Sequence, residues 1–235
     1  MVDQFFPEVG EAVVAVLRRA GVEVSFPEEQ TCCGQVAFNG GYEREAREAA
    51  LRFLDVFDGS EHVVVPSGSC ASMMKVFYLE LFEDDPALLE RARSLSERTH
   101  EFTEFMVNVV GDTAAAKGFE GKVTYHDACH SLRELRISAE PRALLEQAGA
   151  EVVEMQDSDR CCGFGGLFSV KYPHISTAIL EEKLANIEAT GADAVATTDC
   201  GCLMHIRGAM SRKGMQQRAL HVAEALAAAN AGEGA

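Results

Sequence analysis

The chain has 235 residues, 47% of them hydrophobic, enough for one large domain or two smaller domains with hydrophobic cores. Its formal net charge of −16 argues against nucleic acid and anionic lipid as partners. No apolar run approaches the length of about 18 residues that a transmembrane helix needs. The N-terminus lacks the basic and apolar stretches of a signal peptide. We therefore expect a cytoplasmic protein with no transmembrane segment.

Helical and strand-like patterns alternate along the first half of the chain. Apolar residues at helical spacing predict a helix from Pro7 to Ala20, ended by Gly21, and the run at 22–26 predicts a short strand. The remaining elements predicted for this half are a helix at 42–57, a buried strand at 62–66, a helix starting near Cys70 and a long amphipathic stretch at 86–110.

The second half repeats this order. Its predicted elements are strands at 122–126, 151–154 and 194–197 and helices at 140–148, at 175–190 and from near Cys202. Ala-Gly-Val-Glu-Val at 20–24 parallels Ala-Gly-Ala-Glu-Val at 148–152. Such alternation predicts an α/β fold of two duplicated units, with mainly parallel sheets and helices packed on them. We place the units at 1–115 and 116–235, with the junction around 111–121.

The two predicted units begin differently. In the second, a strand at 123–126 leads to Cys129, and 31 residues separate this cysteine from Cys161. Counting back by the same interval from Cys32 reaches the position immediately before Met1. We therefore expect the first strand and the first cysteine of unit 1 to be missing, through truncation, a mis-assigned start codon or real loss.

All eight cysteines fall into two groups, each built on a Cys-Cys-Gly triplet. The first group contains Cys32, Cys33 and Cys70, and the second contains Cys129, Cys161, Cys162, Cys200 and Cys202. In the cytoplasm, where thiols stay reduced, grouped cysteines bind metal more often than they form disulfides. Thiolates are soft ligands that favour zinc or iron–sulfur clusters.

The adjacent cysteines favour a cluster over a single ion. Neighbouring side chains of an extended chain point to opposite faces, so Cys161 and Cys162 converge only at a turn, which Gly163 permits. Two adjacent ligands fit a cluster of several irons more easily than one tetrahedral zinc. We expect an iron–sulfur cluster at the second group, with zinc, a vicinal disulfide or inert thiols as alternatives. The first group, with three thiols, predicts a weaker and incomplete site.

Other side chains near the cysteines have an ordinary structural explanation beside a functional one. The histidines could donate to a cluster sulfur or carry a proton, but helix starts and cores also contain histidine. An aspartate before a helix is typical of an N-cap, and a lysine near the site is more often solvated than a partner for an anionic centre. These residues are His126, His130, His174, His205, Asp199 and Lys171.

The cysteine pattern resembles that of the cysteine-rich CCG-domain family, which includes a cysteine-rich component of heterodisulfide reductase and the iron–sulfur subunits of glycolate oxidase and anaerobic glycerol-3-phosphate dehydrogenase. The similarity covers nearly the whole chain and is strongest to the short, stand-alone members that serve lactate utilisation. The matching segments are Phe-Phe-Pro-Glu-Val-Gly at 5–10, Thr-Cys-Cys-Gly-Gln at 31–35, Pro-Ser-Gly-Ser-Cys at 66–70, Asp-Ala-Cys-His-Ser at 127–131, Cys-Cys-Gly-Phe-Gly-Gly at 161–166 and Gly-Cys-Leu-Met-His at 201–205.

The resemblance implies a function in electron transfer. It suggests an iron–sulfur subunit of an oxidoreductase system that converts L-lactate to pyruvate, acting with a ferredoxin-like iron–sulfur protein and a third small lactate-utilisation protein. Family members bind [4Fe-4S] clusters, some of them non-cubane. The resemblance identifies no catalytic residue. The residue chemistry also leaves open a heterodisulfide or thiol–disulfide reductase-type subunit and a zinc-stabilised assembly module without redox activity.

The resemblance also implies a ligand set for each unit. By position, the ligands would be Cys32, Cys33 and Cys70 in the first unit, and Cys129, Cys161, Cys162 and Cys202 in the second. The family's terminal Cys-x-x-Cys is altered in both units, because Ser67 and Asp199 occupy its first position. Cys200 comes one residue late, and it is either a substitute ligand or a bystander.

Overall fold

The structure is a computed structural model that describes residues 1–111 and 119–228. In the first half, residues Met73–Phe77 form a π-helical turn between two helices, and Met106–Val110 form another after the last helix. The elements in chain order are α1 (Val2–Phe5), α2 (Pro7–Arg19), α3 (Gln35–Asn39), α4 (Glu43–Val56), β1 (Val63–Val65), α5 (Gly68–Ser72), α6 (Tyr78–Leu81), α7 (Pro86–Arg98), β2 (Thr99–Glu101) and α8 (Phe102–Phe105).

The second half follows the same alternation. No helix in 1–111 or 119–228 is long and apolar enough to cross a membrane. The elements are β3 (Lys122–Tyr125), α9 (Cys129–Arg133), α10 (Ala139–Gln147), β4 (Glu151–Val152), α11 (Leu167–Lys171), α12 (Pro173–Ala189), β5 (Ala194–Thr197), α13 (Cys200–Lys213), β6 (Arg218–His221) and α14 (Val222–Ala227).

The strands form two parallel sheets. β1 pairs with β2, and the four strands of the second half lie in the order β4-β3-β5-β6, with every pairing parallel. Strand β5 is buried at all four positions, as expected for a central strand covered by helices on both faces. The predicted α/β fold with helices packed on parallel sheets is confirmed.

One predicted strand is wrong. Residues 22–26 have no regular secondary structure, whereas the parallel segment of the second half contains β4. Strand β4 is held by its pairing with β3, in the register Val123 to Val152. No strand in residues 1–111 corresponds to β3, so the segment at 22–26 has no ladder to join. The predicted junction between the units falls largely at 112–118, outside the described residues.

The amphipathic stretch at 86–110 is two helices separated by a strand. Helix α7 ends at Arg98, and β2 follows for three residues before α8 begins. The side chain of Glu101 accepts hydrogen bonds from the backbone N–H groups of Thr103 and Glu104, while Glu104 bonds back to the N–H of Glu101. This capping box starts a new helix, although the apolar spacing of the sequence continues past this point without a break.

The two halves share a hydrophobic core. Helix α2 of the first half packs against α14, and α10 of the second half packs against α8. These helices cover the four-stranded sheet, so that Val16 and Leu17 lie in one buried cluster with Tyr125. Each half therefore places a helix in the other's core, which fixes the two cysteine groups relative to each other.

Candidate metal centre

The second cysteine group lies at the carboxyl ends of parallel strands. Cys129 begins α9 shortly after β3, Cys202 lies in the first turn of α13 after β5, and the Cys161-Cys162 pair lies between β4 and α11. From β3 the chain passes to β4 on one side and later to β5 on the other. The crevice at such a reversal of strand order is where open α/β sheets bind their ligands.

Four thiols of this group converge. The Sγ of Cys162 lies 3.3 Å from the Sγ of Cys202, and Cys129 and Cys161 lie near enough for each thiol to shift the pKa of the other. The effect of Cys129, followed by that of Cys162, lowers the pKa of Cys161, while Cys161 and burial raise the pKa of Cys129. Cys162 and Cys202 are buried, and Cys129 and Cys161 are half-buried. One side of the group therefore reaches the surface.

The turn at Gly163 brings the adjacent cysteines together. Its φ of +87° is in the left-handed region, and its N–H points to the Sγ of Cys161 at 3.3 Å. A Cβ at this position would lie 2.6 Å from the carbonyl oxygen of Ser176 in α12. Only glycine combines this backbone conformation with this close approach to a helix.

His126 completes the group as a nitrogen donor. It is fully buried at the end of β3, and neither ring nitrogen has a hydrogen-bond partner among the described residues. One of these nitrogens lies within 4.8 Å of the thiols of Cys162 and Cys202. Burial lowers the pKa of His126 to about 4, which keeps the imidazole neutral and able to donate or to ligate. Among the described residues, a buried imidazole without a partner beside the thiols of Cys162 and Cys202 fits a thiolate-bound metal or cluster.

Cys200 is the one cysteine of this group that the structure does not bring to the other four. Its buried thiol points across to the carbonyl oxygen of Pro66, 3.5 Å away in the first half. Asp199, just before it, caps α13 by accepting from the N–H groups of Gly201 and Cys202. Its other oxygen accepts from the backbone N–H of Ser69 at 2.8 Å, so that Asp199 joins the starts of α13 and α5.

The first group has the same local geometry with fewer thiols. Cys32 and Cys70 lie near enough to Cys33 to raise the pKa of its thiol, and Gly34 has a φ of +86° with its N–H 3.4 Å from the Sγ of Cys32. The neighbouring thiol of Cys33 lowers the pKa of the exposed Cys32 to about 6. Tyr78 donates from its hydroxyl to the carbonyl oxygen of Cys33 at 2.8 Å. Three thiols thus meet here.

The remaining candidates lie outside the thiol group. His130 Nδ1 pairs with Glu134 at 3.1 Å. His205 Nε2 lies 3.2 Å from the hydroxyl of Ser176, beside the turn of the triplet. His174 and Lys171 are exposed.

Two charged residues that the cysteine motifs do not point to lie in the scaffold of the site. Arg142 holds Asp127 through both of its terminal nitrogens, at 2.9 and 2.8 Å. Although burial raises the pKa of Asp127, these bonds bring it below its usual value. Lys183 is fully buried in α12 between Leu180 and Leu184, which pack in the same apolar cluster as Cys162 and Cys202. In the sequence, the sign of this residue is a lysine within the apolar stripe of a predicted helix.

The fold and the site define an α/β protein with two Cys-Cys-Gly units and a thiol-rich centre in the second. The family model of the cysteine-rich CCG domain matches residues 1–75 and 123–207, and the chain belongs to this family. It is 46% identical over 226 residues to lactate utilization protein A 2 of Bacillus cereus (strain Q1), a match that covers 96% of this chain and 93% of that protein. Over 227 residues it is 46% identical to lactate utilization protein A of Shouchella clausii, covering 96% and 95% of the two chains. The resemblance found in the cysteine motifs is confirmed.

Proposed function

We propose that the chain is an iron–sulfur subunit of a multi-protein system that oxidises L-lactate to pyruvate. The observation that carries the proposal is the convergence of four thiols with the unpartnered His126 at the carboxyl ends of β3 and β5. The names of the relatives supply the substrate, since they are called lactate utilization proteins.

Each residue of the centre has a distinct part in this proposal. Cys129, Cys161, Cys162 and Cys202 would hold a [4Fe-4S] cluster, of cubane or non-cubane type, which when bound transfers single electrons. Burial of Cys162 and Cys202 keeps water from that side of the centre. The partly exposed Cys161 side is where electrons would pass to the proposed partners, a ferredoxin-like iron–sulfur protein and a third small lactate-utilisation protein. The cytoplasm is the proposed location, because all eight cysteines are free thiols.

Two other functions have an observation in their favour. The distance of 3.3 Å between the sulfurs of Cys162 and Cys202 is suited to thiol–disulfide chemistry, with the depressed pKa of Cys161 supplying a thiolate. The grouping of His126 with those two thiols is also a donor set that zinc accepts, which would make the centre a structural clip.

Anaerobic purification followed by iron, sulfide and zinc analysis separates the three functions. We expect iron with acid-labile sulfide, and an EPR signal after reduction that appears with lactate only when the partner proteins are present. Zinc without iron would support the structural clip, and metal-free protein with titratable thiols would support disulfide chemistry.

The matched variants Cys202→Ser and Cys200→Ser lie in the first turn of the same helix. We expect the first to lose most of the iron and the second to retain it, because only Cys202 faces the other thiols. Equal losses would contradict the assignment of ligands.

A further inference from the structure

Lys183 has a charged side chain in an apolar environment. Its relative exposure is 0%, and its Nζ donates to the carbonyl oxygens of Asp157 and Ser158, at 2.7 and 3.2 Å, and to the sulfur of Met155 at 3.9 Å. Three acceptors around one nitrogen match the three hydrogens of an ammonium group. Burial lowers the pKa of Lys183, and Cys162, Asp159 and Cys202 act to raise it.

The backbone that Lys183 holds leads directly to the cysteine pair. Asp157 has a φ of +52°, a left-handed conformation that few residues other than glycine adopt. The carbonyl oxygen of Ser158 accepts a second bond, from the N–H of Asp127 at 3.1 Å. Asp127 lies between His126 and Cys129 in sequence. Through its contacts with this loop, Lys183 therefore ties together the two segments that carry three of the four thiols.

In the described part of the first unit, the position equivalent to Lys183 carries no charge. Gly163 approaches Ser176 of α12, and Gly34 approaches Ala46 of α4 in the same way. Seven residues further along each helix (176 to 183 and 46 to 53) are Lys183 and Phe53. Phe53 packs in the apolar cluster that contains Cys33. The same position is thus apolar beside the three-thiol group and cationic beside the four-thiol group.

A buried ammonium needs an anionic partner to offset its lost hydration. The buried carboxylate of Asp127, which acts on the pKa of Lys183, is already bonded to Arg142 through two nitrogens. His126 is neutral. Asp159 is exposed, so the buried groups left to balance the charge of Lys183 are Cys162 and Cys202, which become anions when they bind a metal.

We propose that Lys183 is a positioning residue that orders the loop before Cys161 and supplies a fixed positive charge to the thiolate-bound centre. The inference deepens the proposed function, because it assumes that the second cysteine group binds an anionic metal centre. The charge stabilises the reduced state more than the oxidised state, since reduction adds negative charge beside it.

Two substitutions separate the two parts of this role. Lys183→Gln keeps a donor for the loop carbonyls but removes the charge, whereas Lys183→Met removes both. Lys171→Met is the matched control, because it makes the same change of net charge at an exposed position near the same turn. All three are made in full-length protein that carries Cys33→Ser and Cys70→Ser, so that the measured metal binding comes from the second cysteine group.

The first readout is anaerobic titration of the reduced apoprotein with Co²⁺, followed by thiolate-to-metal absorption. We expect both Lys183 variants to bind Co²⁺ about 10–100-fold more weakly and the Lys171 variant to match the parent. The second readout, on protein loaded with iron and sulfide, is the midpoint potential, which should fall in both Lys183 variants only.

The outcomes distinguish this inference from the proposed function. Weaker Co²⁺ binding by Lys183→Gln in a protein that takes up no iron or sulfide would overturn the iron–sulfur function and support the role of Lys183. Unchanged Co²⁺ affinity and unchanged potential in Lys183→Gln would overturn the electrostatic part of the role, and the same result in Lys183→Met would overturn the positioning part as well. If Lys183→Met fails to fold, Lys183→Gln still decides the electrostatic part.

Discussion

The two Cys-Cys-Gly turns share the same glycine conformation and the same N–H to sulfur contact but differ in what surrounds them. The glycines have φ values of +86° and +87°, and each donates its N–H to the first sulfur of its pair, at 3.4 and 3.3 Å. Around the second turn lie a fourth thiol, an unpartnered imidazole and a buried ammonium. Around the first lie Tyr78, bonded to the backbone of Cys33, and Phe53.

This difference shows that the turn and the ligand set are separable. The turn needs only a glycine and a close helix, and both units have kept these. The ligand set depends on β3, which leads to His126 and Cys129, and no strand in residues 1–111 has that place. We therefore expect the two groups to respond differently to the same substitution.

The largest contrast is expected for the second cysteine of each pair. Cys162→Ser should remove most of the iron from anaerobically purified protein, because it deletes a buried ligand from the four-thiol group. Cys33→Ser, at the matched position, should leave most of the iron in place, because its group offers only three thiols. Iron and acid-labile sulfide analysis measures both. Comparable losses in the two variants would mean that both groups bind metal, and the comparison would then fail.

The shared core predicts that the units unfold together in spite of their different sites. Leu17 of α2 is 3% exposed and packs in a cluster that also contains α10 and α14 of the second half. Leu17→Ala should lower the free energy of unfolding by about 2–5 kcal/mol and keep a single transition. Leu54→Ala, in the cluster confined mostly to the first half, is the control. Two separate denaturation transitions in either variant would show that the halves are independent.

The glycines allow the turns themselves to be compared. Alanine at either position meets the same unfavourable φ, which costs about 1–3 kcal/mol. The added Cβ would lie 2.6 Å from the carbonyl oxygen of Ser176 in Gly163→Ala, but 3.0 Å from that of Ala46 in Gly34→Ala. We expect Gly163→Ala to be the more destabilising in chemical denaturation. A larger loss for Gly34→Ala would show that the first turn is the more tightly packed one.

The sequence predicts those parts of the molecule that depend on local pattern. The two cysteine groups, the turn glycines and the helices of the Cys-Cys-Gly units follow from spacing and residue type. The prediction of a strand at 22–26 is wrong because the stability of such a strand depends on a neighbouring strand rather than on its own residues. Cys200 could not be separated from Cys202 by spacing alone, because the N-cap Asp199 sets which face of α13 each occupies. Lys183 was missed because an isolated lysine in a helix is normally solvated.

The two capping boxes are a further pair of matched positions with opposite chemistry. Glu101 caps α8 after β2, and His221 caps α14 after β6, and both side chains are fully buried. Burial raises the pKa of Glu101 from 4.5 to about 7, with the nearby Glu104 acting in the same direction. Burial lowers the pKa of His221 from 6.5 to about 4, against the opposing effect of Asp199 and with a smaller contribution from Arg207.

These shifts predict opposite dependences of stability on pH. Between pH 4.5 and 7 the folded state retains the proton of Glu101 that the unfolded state has lost, so stability falls as the pH rises. Between pH 4 and 6.5 the unfolded state binds a proton at His221 that the folded state does not, so stability rises with pH. Each slope is about 1.4 kcal/mol per pH unit, and the two cancel between pH 4.5 and 6.5.

Single substitutions should expose each slope. Relative to the parent protein, Glu101→Gln should become more stable by about 1.4 kcal/mol per unit as the pH rises from 4.5 towards 7. His221→Asn, which keeps an N-cap acceptor, should become relatively more stable as the pH falls from 6.5 towards 4. Urea denaturation at a series of pH values measures both differences, and between pH 4.5 and 6.5 the double variant should recover the pH profile of the parent. A pH-independent difference between either single variant and the parent would mean that the substituted side chain does not titrate in this pH range.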